Sequence, residues 1–588
     1  MNIFRDLGWF FKQEKKAYII GILLLIAVAL LQLVPPRVIG WAVDAIESKS
    51  LSKETLLHMV IFLGAAAVGS YGMRYMWRVM IFGAAVKLAR QMRNKLYEHF
   101  TKMNQTFYQN KRTGDLMAHA TNDIQAIQQT AGIGVLTLAD SVITGGVVLI
   151  TMAVTISWKL TIISLLPMPL MAWLTSKYGT MLHKRFGEAQ AAFSSLNDKV
   201  QESITGVKVV KTFGKEASEV NMFTRQSADV VEKNMKVARI DALFDPTISF
   251  IVSWSFLFAL IFGSRMVVSN EITLGELVTF TTYLGLLVWP MLAFGWLFNI
   301  VERGRASYDR VFALLQEKNE IVESDQPITK SPKGAIVVKV NRFVYPGTDE
   351  VVLKDIHFAL QEGQTLGIVG KTGAGKTTLL KLLIREFDLT VGDIYFDQHS
   401  IKSYSFDSLY NSIGYVPQDH FLFSTTVGEN IAFSNLDAPH SDIERVAQLA
   451  HVHEDIMCFT HGYDTIVGEK GVSLSGGQKQ RLSIARALLQ NPQMLFLDDS
   501  LSAVDGKTEA LILKSLKQHR RNKTTVITTH RLSAVAHADL ILVIEGGQII
   551  QRGRHEELLQ AHGWYQEMYK RQQLEKIVEA GGYKYHEK

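Results

Sequence analysis

The chain has 588 residues, 47% of them hydrophobic, and 62 Lys+Arg against 56 Asp+Glu give a formal net charge of +6. That length exceeds one ordinary core, so at least two domains are expected. The single cysteine, Cys458, excludes an intrachain disulfide and, with no partner motif, reads as a small buried or surface thiol. Hydrophobic residues are unevenly spread: long uncharged runs fill the first half, and the second half has the mixed composition of a soluble domain.

In chain order, residues 1–16 read as an amphipathic helix lying at a membrane interface, with no small-residue cleavage site. Six runs then lack Asp, Glu, Lys and Arg for long enough to span a bilayer. They are 17–36, 56–73, 141–158, 160–176, 246–264 and 277–301. One such run suits a buried core helix, whereas six in the first 301 residues predict an all-α membrane domain, 1–315. With the N-terminus inside, the inner segments carry 24 Lys+Arg and the outer ones 5. That bias predicts a cytoplasmic N-terminus and a cytoplasmic second domain. It also explains the basic balance as topology and contact with membrane lipids, with no nucleic acid involved.

The segments joining spans two to three and four to five are long and polar with few Gly or Pro, so they predict helices continuing beyond the membrane. Breaks near 110–119 and 206–216 read either as ordinary turns or as short helices, since Thr113, Gly114 and Asp115 can cap and start one. Arg74 and Arg78 stand at i and i+4 near the inner end of span two, and Asp140 stands at the inner start of span three. Charge is expensive in lipid. These residues either snorkel to the interface or form an ion pair at the inner mouth of a cavity. Trp173, Trp254, Phe256, Trp289 and Trp296 suit a cavity wall or a lipid-facing surface equally.

A polar linker, 316–334, leads to a second domain over 335–570, followed by a polar tail, 571–588. Gly370, Lys371, Thr372, Gly373, Ala374, Gly375, Lys376, Thr377 and Thr378 follow an apolar run and precede an amphipathic one. Strand, glycine loop and helix are what a phosphate-binding loop needs. The glycines let backbone N–H groups turn to the phosphates of ATP, Lys376 adds a point charge, and the Thr377 hydroxyl suits Mg²⁺. About 120 residues on, an apolar strand ends in Asp498 and Asp499, with Asp498 as the magnesium-side carboxylate. Between them, Ser475, Gly476, Gly477 and Gln478 open a helix that Ser475 caps.

This order of motifs resembles the ABC transporter family over the whole chain. The long inner helices with short outer loops resemble its exporters. The resemblance implies a six-helix exporter-type domain followed by an α/β P-loop ATPase domain with a helical subdomain, multi-pass in a bacterial inner membrane. It implies a transporter ATPase, with the two breaks as coupling helices. It also assigns Tyr345 to adenine stacking, Gln418 to the magnesium-sensing loop that contacts the membrane domain, Asp505 to the D-loop and His530 to the γ-phosphate switch. The stretch 468–471 matches one found before the signature in exporters. Six spans exclude the family's soluble members.

One position departs from the pattern. The family usually places Glu directly after the magnesium-side Asp, and here Asp499 stands there. Its carboxylate sits about 1.5 Å further back, and a general base must reach within roughly 2.6–3.2 Å of its proton donor. Slow hydrolysis at this chain's own site is expected. An intact signature would complete a site whose P-loop and Glu come from a second half-transporter, as a heterodimer. The alternative is a homodimer in which Asp499 repositions and catalyses. Export of amphipathic or hydrophobic small molecules is the expected function. A lipid flippase, or an ATP-gated or regulatory ABC membrane protein, is the alternative.

Overall fold

A computed structural model describes residues 2–468 and 474–582. The chain forms two compact units, Met1–Lys102 with Arg112–Glu317, and Met103–Lys111 with Lys318–Lys588.

The first unit is helical. Its longest helix, Lys53–Lys102, has 50 residues, which at 1.5 Å per residue is about 75 Å, more than twice a ~30 Å hydrocarbon layer. Among the described residues, five helical runs are long and apolar enough to cross a membrane: Lys15–Glu47, Lys53–Lys102, Thr113–Leu165, Glu216–Val268 and Leu274–Gln316. The run expected at 160–176 differs. It is divided between Trp158–Leu165 and Met168–Thr205, because Pro167 and Pro169 lack the N–H groups that would continue one ladder. The reversal before it falls at Ser157, whose backbone is extended and whose hydroxyl accepts the Leu160 N–H (3.3 Å).

The N-terminal helices, Asn2–Asp6 and Gly8–Gln13, turn part of their apolar face to protein and leave Trp9 exposed. Ile3, Leu7 and Phe10 are fully buried within the protein. Spacing of this kind shows an apolar face without showing what covers it. Short helices mark the polar breaks at Gln105–Asn110, Thr113–Ala118 and Val207–Thr212. Met103–Lys111 groups with the second unit and 207–212 with the first.

Two polar clamps tie the membrane helices together. Asp44 accepts the Gly275 N–H (2.7 Å) and the Thr273 hydroxyl (2.9 Å), while Tyr283 donates to the Leu33 carbonyl (2.9 Å). Gly40 and Gly275 make this approach possible, since a Cβ on either would overlap the other's backbone oxygen. Deeper in the chain, Asp123 is 7% exposed. Its carboxylate accepts from Ser307 (2.8 Å), from both Nε and Nη2 of Arg310, and pairs with His119 (2.7 Å).

Among the cavities that the described residues of this unit form, two stand out. One of about 570 Å³ is lined by apolar residues including Leu170, Phe250, Trp254 and Phe258. The other, about 440 Å³, is lined by Arg74, Arg78 and Asp140 among others.

The second unit carries two sheets. The strands are β1 (Ile336–Val344), β2 (Val351–Leu360), β3 (Thr365–Val369), β4 (Val391–Phe396), β5 (His399–Ser400), β6 (Ile413–Val416), β7 (Met494–Asp498), β8 (Thr524–Thr529), β9 (Leu540–Glu545) and β10 (Gln548–Gly553). The smaller sheet runs β2-β1-β4-β5 and the larger β10-β9-β3-β8-β7-β6. In the larger, β9, β3, β8, β7 and β6 are parallel. β7 and β8 are buried at every residue, as expected of strands covered on both faces. A helical portion includes Val427–Ala432, His440–Leu449 and Gly476–Leu489. The polar stretch 318–334 is pinned to this unit: Arg385 donates to the Val322 carbonyl (2.9 Å) and the Ile328 N–H to Ser403 (2.8 Å).

Asp123→Ala strands a buried serine hydroxyl and an arginine, at a cost of about 1–3 kcal/mol. Arg310 is half exposed, so water recovers part of that loss. The expected outcome is a lower unfolding midpoint for the detergent-solubilised protein, read by thermal shift. An unchanged midpoint counts against the clamp.

Candidate nucleotide site

The parallel sheet sets the site. β3 ends at Val369, and the chain turns through Gly370–Gly375 into the helix Lys376–Leu383. Gly370 has φ +152°, and a Cβ there would overlap the Ile544 carbonyl oxygen. Gly373 and Gly375 have φ of +81° and +99°. These conformations suit glycine, and a turn built of them is the kind of backbone nest that binds anions. The Lys376 ammonium donates to the Gly370 and Lys371 carbonyls, both at 2.9 Å. Burial pushes its pKa below the ordinary lysine value, opposed by Asp499 and Asp498. Lys371 is turned aside to Glu545 (2.7 Å).

β7 delivers Asp498 beside this loop, and it is 1% exposed. Its Oδ1 accepts from Thr377 (3.1 Å) and Thr528 (2.7 Å), while its Oδ2 is buried without a partner. Burial raises its pKa. A buried carboxylate oxygen left bare is costly, and a hard cation that takes oxygen ligands satisfies it. The glycine cradle, the Thr377 hydroxyl and Asp498 Oδ2 thus fit a magnesium–triphosphate group.

Asp499 follows with φ +45°. Its N–H donates to the Thr528 carbonyl (2.9 Å) and lies 3.2 Å from the Thr528 hydroxyl. Its Oδ1 meets His530 Nδ1 at 3.0 Å. That hydrogen bond raises the His530 pKa above the usual histidine value, against partial burial. The His530 carbonyl accepts from Gln572 Nε2 (2.7 Å), and Gln572 Oε1 accepts the Leu532 N–H (3.0 Å). Part of the stretch expected to be a polar tail is therefore helix, Trp564–Gly582, resting on this loop.

The other expected residues fall around this centre. Gln418 is exposed just beyond β6, whose Val416 pairs with Leu497 of β7. The Tyr345 hydroxyl is 2.9 Å from Thr378 Oγ1, and its ring packs edge-on against Phe343 and Phe387. Thr372 and Ala374 complete the loop. The signature stands apart: among the described residues no hydrogen bond joins it to the glycine loop. Ser475 and Gln478 form a reciprocal cap on Gly476–Leu489, with Gln478 also bonded to Asp455 (3.1 Å). Gly476 and Gly477 lie against Ala503. Asp505 caps the helix Gly506–His519, and the Thr508 and Lys507 backbone N–H groups lower its pKa. In the stretch 468–471, Glu469, Lys470 and Gly471 lie outside the described residues.

Thr528 escaped the motif reading, although it bonds both Asp498 and Asp499. Its signal is its place in β8, where it pairs with Asp498 across the parallel ladder.

Comparison with known proteins agrees with this layout. Residues 18–291 match the family described as ABC transporter transmembrane region, and 353–502 match ABC transporter. The chain is 47% identical to the "Probable multidrug resistance ABC transporter ATP-binding/permease protein YheI" of Bacillus subtilis, covering 99% of each. It is 48% identical to the "Multidrug resistance-like ATP-binding protein MdlA" of Escherichia coli, covering 98% of each. A solved bacterial Atm1-family ABC exporter with ATP bound superposes at TM-score 0.81 with 26% identity, covering 95% of this chain and 99% of that one.

His530 is expected to titrate above the ordinary histidine value of about 6.5, and Asp499→Asn lowers it, because burial and the Arg531 and Lys376 charges that remain all depress it, read by histidine NMR. The sign follows from linkage. A raised folded pKa gives stability that is full below the unfolded value and lost as pH rises through the folded one. A titration insensitive to Asp499→Asn contradicts the pairing.

Proposed function

The chain belongs to the ABC transporter family as an exporter-type half-transporter, and on that premise we propose that it is the degenerate half of a heterodimeric multidrug-type exporter. As a family member it is a membrane ATPase whose ATP hydrolysis is coupled to transport. The reading sets it in the bacterial inner membrane, with N-terminus and ATPase unit cytoplasmic. It moves amphipathic or hydrophobic compounds, in keeping with the names of its relatives. Its partner is a second half-transporter, MdlB-like, that carries the Glu.

Bound Mg²⁺ would be held by Thr377 and Asp498, with Gln418 beside them, and would neutralise charge on the triphosphate. The chain's own groups do the rest. Gly370, Gly373 and Gly375 shape the cradle, and Lys376 sets a positive charge in it. Tyr345, beside the helix that follows the loop, offers its ring to the base. Ser475 and the glycines after it present a capped helix N-terminus to the nucleotide of the partner's site, with Asp505 close by in sequence.

One observation carries the degenerate-site reading. Asp499 is short, and its backbone and carboxylate are both already engaged, by Thr528 and His530. With its backbone held by Thr528, one oxygen held by His530 and one methylene fewer than Glu, the carboxylate falls short of an attacking water. The chain without a partner is therefore expected to bind ATP with little turnover, and Asp499→Glu to raise its hydrolysis by about 100-fold, measured by phosphate release. Brisk, vanadate-sensitive ATPase activity of the unmodified chain alone refutes the reading.

A further inference from the structure

Arg74 and Arg78 lie one turn apart on the helix Lys53–Lys102, so they share a face. Both are exposed, and both line the 440 Å³ cavity of the membrane unit. Like charges one turn apart repel, and burying them in or near lipid without compensation is expensive. Asp140 is the one acidic group in the lining, and its Oδ1 accepts from Thr144 at 2.7 Å. Among the described residues it forms no ion pair with either arginine. Two guanidinium groups against one carboxylate leave the cavity with one uncompensated positive charge. Arg78 leans over the Trp77 ring at 5.5 Å, which orients it without neutralising it.

The remaining lining is amphipathic. Leu25, Val28 and Leu286 supply an apolar wall, and Trp289 with Gln32 edges it. The volume lies within the range of small-molecule sites. The second cavity of the unit has no charged residue in its lining and so specifies no charge on a ligand. Planar guanidinium forks match the paired oxygens of a carboxylate, sulfonate or phosphate ester.

We propose that this cavity is a binding site for amphipathic oxyanions: Arg74 and Arg78 hold the anionic head, and the aromatic and aliphatic wall takes the apolar body. Its place in a transport cycle rests on the exporter reading above, but binding to it does not. The shared chemistry fits two sources, an anionic lipid or a free organic acid. Asp140 opposes the ligand's charge and sets the release side of the balance.

The test is equilibrium binding of 1-pyrenebutyrate, and of its uncharged primary amide, to the full chain in phosphatidylcholine nanodiscs without nucleotide. Pyrene anisotropy is read against empty nanodiscs. The acid is expected to bind at least tenfold more tightly than the amide. Arg74→Gln and Arg78→Gln should each shrink that ratio several-fold. Asp140→Asn should enlarge it, a gain that misfolding does not produce. Equal binding of acid and amide, or a ratio indifferent to all three substitutions, overturns the proposal. Replacing a third of the lipid by phosphatidylglycerol separates the sources. Competitive loss of the probe identifies a lipid head, and unchanged binding a free amphiphile, the oxyanion site standing in either case. ATP-driven dye export without acid preference removes this site and keeps the exporter. Acid preference without any ATP-driven export does the reverse.

Discussion

The second unit is organised around a half-satisfied carboxylate. Asp498 is buried at the end of a strand that is itself wholly buried, and two threonines from different elements bond only one of its oxygens. Leaving the other bare costs about 1–3 kcal/mol, a cost the fold bears because the strand order requires it. With β3, β8 and β7 side by side and parallel, the glycine loop, Thr528 and Asp498 all emerge at the same edge. That is where open parallel sheets bind their ligands. The bare oxygen is a standing demand for a cation, and the adjacent glycines are a standing demand for an anion.

The same edge explains the restraint on Asp499. The residue after a strand end is free to take an unusual conformation, and here it takes φ +45°, tolerable for Asp. Thr528 fixes its backbone and His530 its carboxylate. Asp498 and Asp499 are sequence neighbours in different situations: the free Oδ2 of Asp498 is buried, whereas Asp499 is held through its backbone by Thr528 and through Oδ1 by His530. On the proposed reading, binding and hydrolysis are separable at this site, which is what a family member needs if its partner does the turnover.

Much of this was legible in the residues. The glycine loop was, because positive φ at defined spacings has few other solutions, and the capping of Gly476–Leu489 was, because Ser475 and Gln478 satisfy each other locally. Long uncharged runs marked the membrane unit for the same local reason. What escaped depended on partners far along the chain. Thr528 is one threonine in a run until β8 is paired with β7. Ile3, Leu7 and Phe10 form an apolar face, and only tertiary packing says that protein covers it. Pro167 is the exception, a local signal whose missing N–H splits a helix that the uncharged run alone reads as continuous. Arg74, Arg78 and Asp140 were legible as charges, but their shared cavity was not, since it takes four helical segments to enclose it.

The most direct test isolates this chain's own nucleotide site in the assembled transporter. The partner's P-loop lysine is replaced, and single-turnover hydrolysis of radiolabelled ATP is followed by rapid quench. ATP is expected to bind through Lys376 and Asp498 and to remain largely intact over many turnovers of the unmodified complex. A burst of hydrolysis at the rate of the unmodified complex would contradict that expectation, and would make Asp499 a working base.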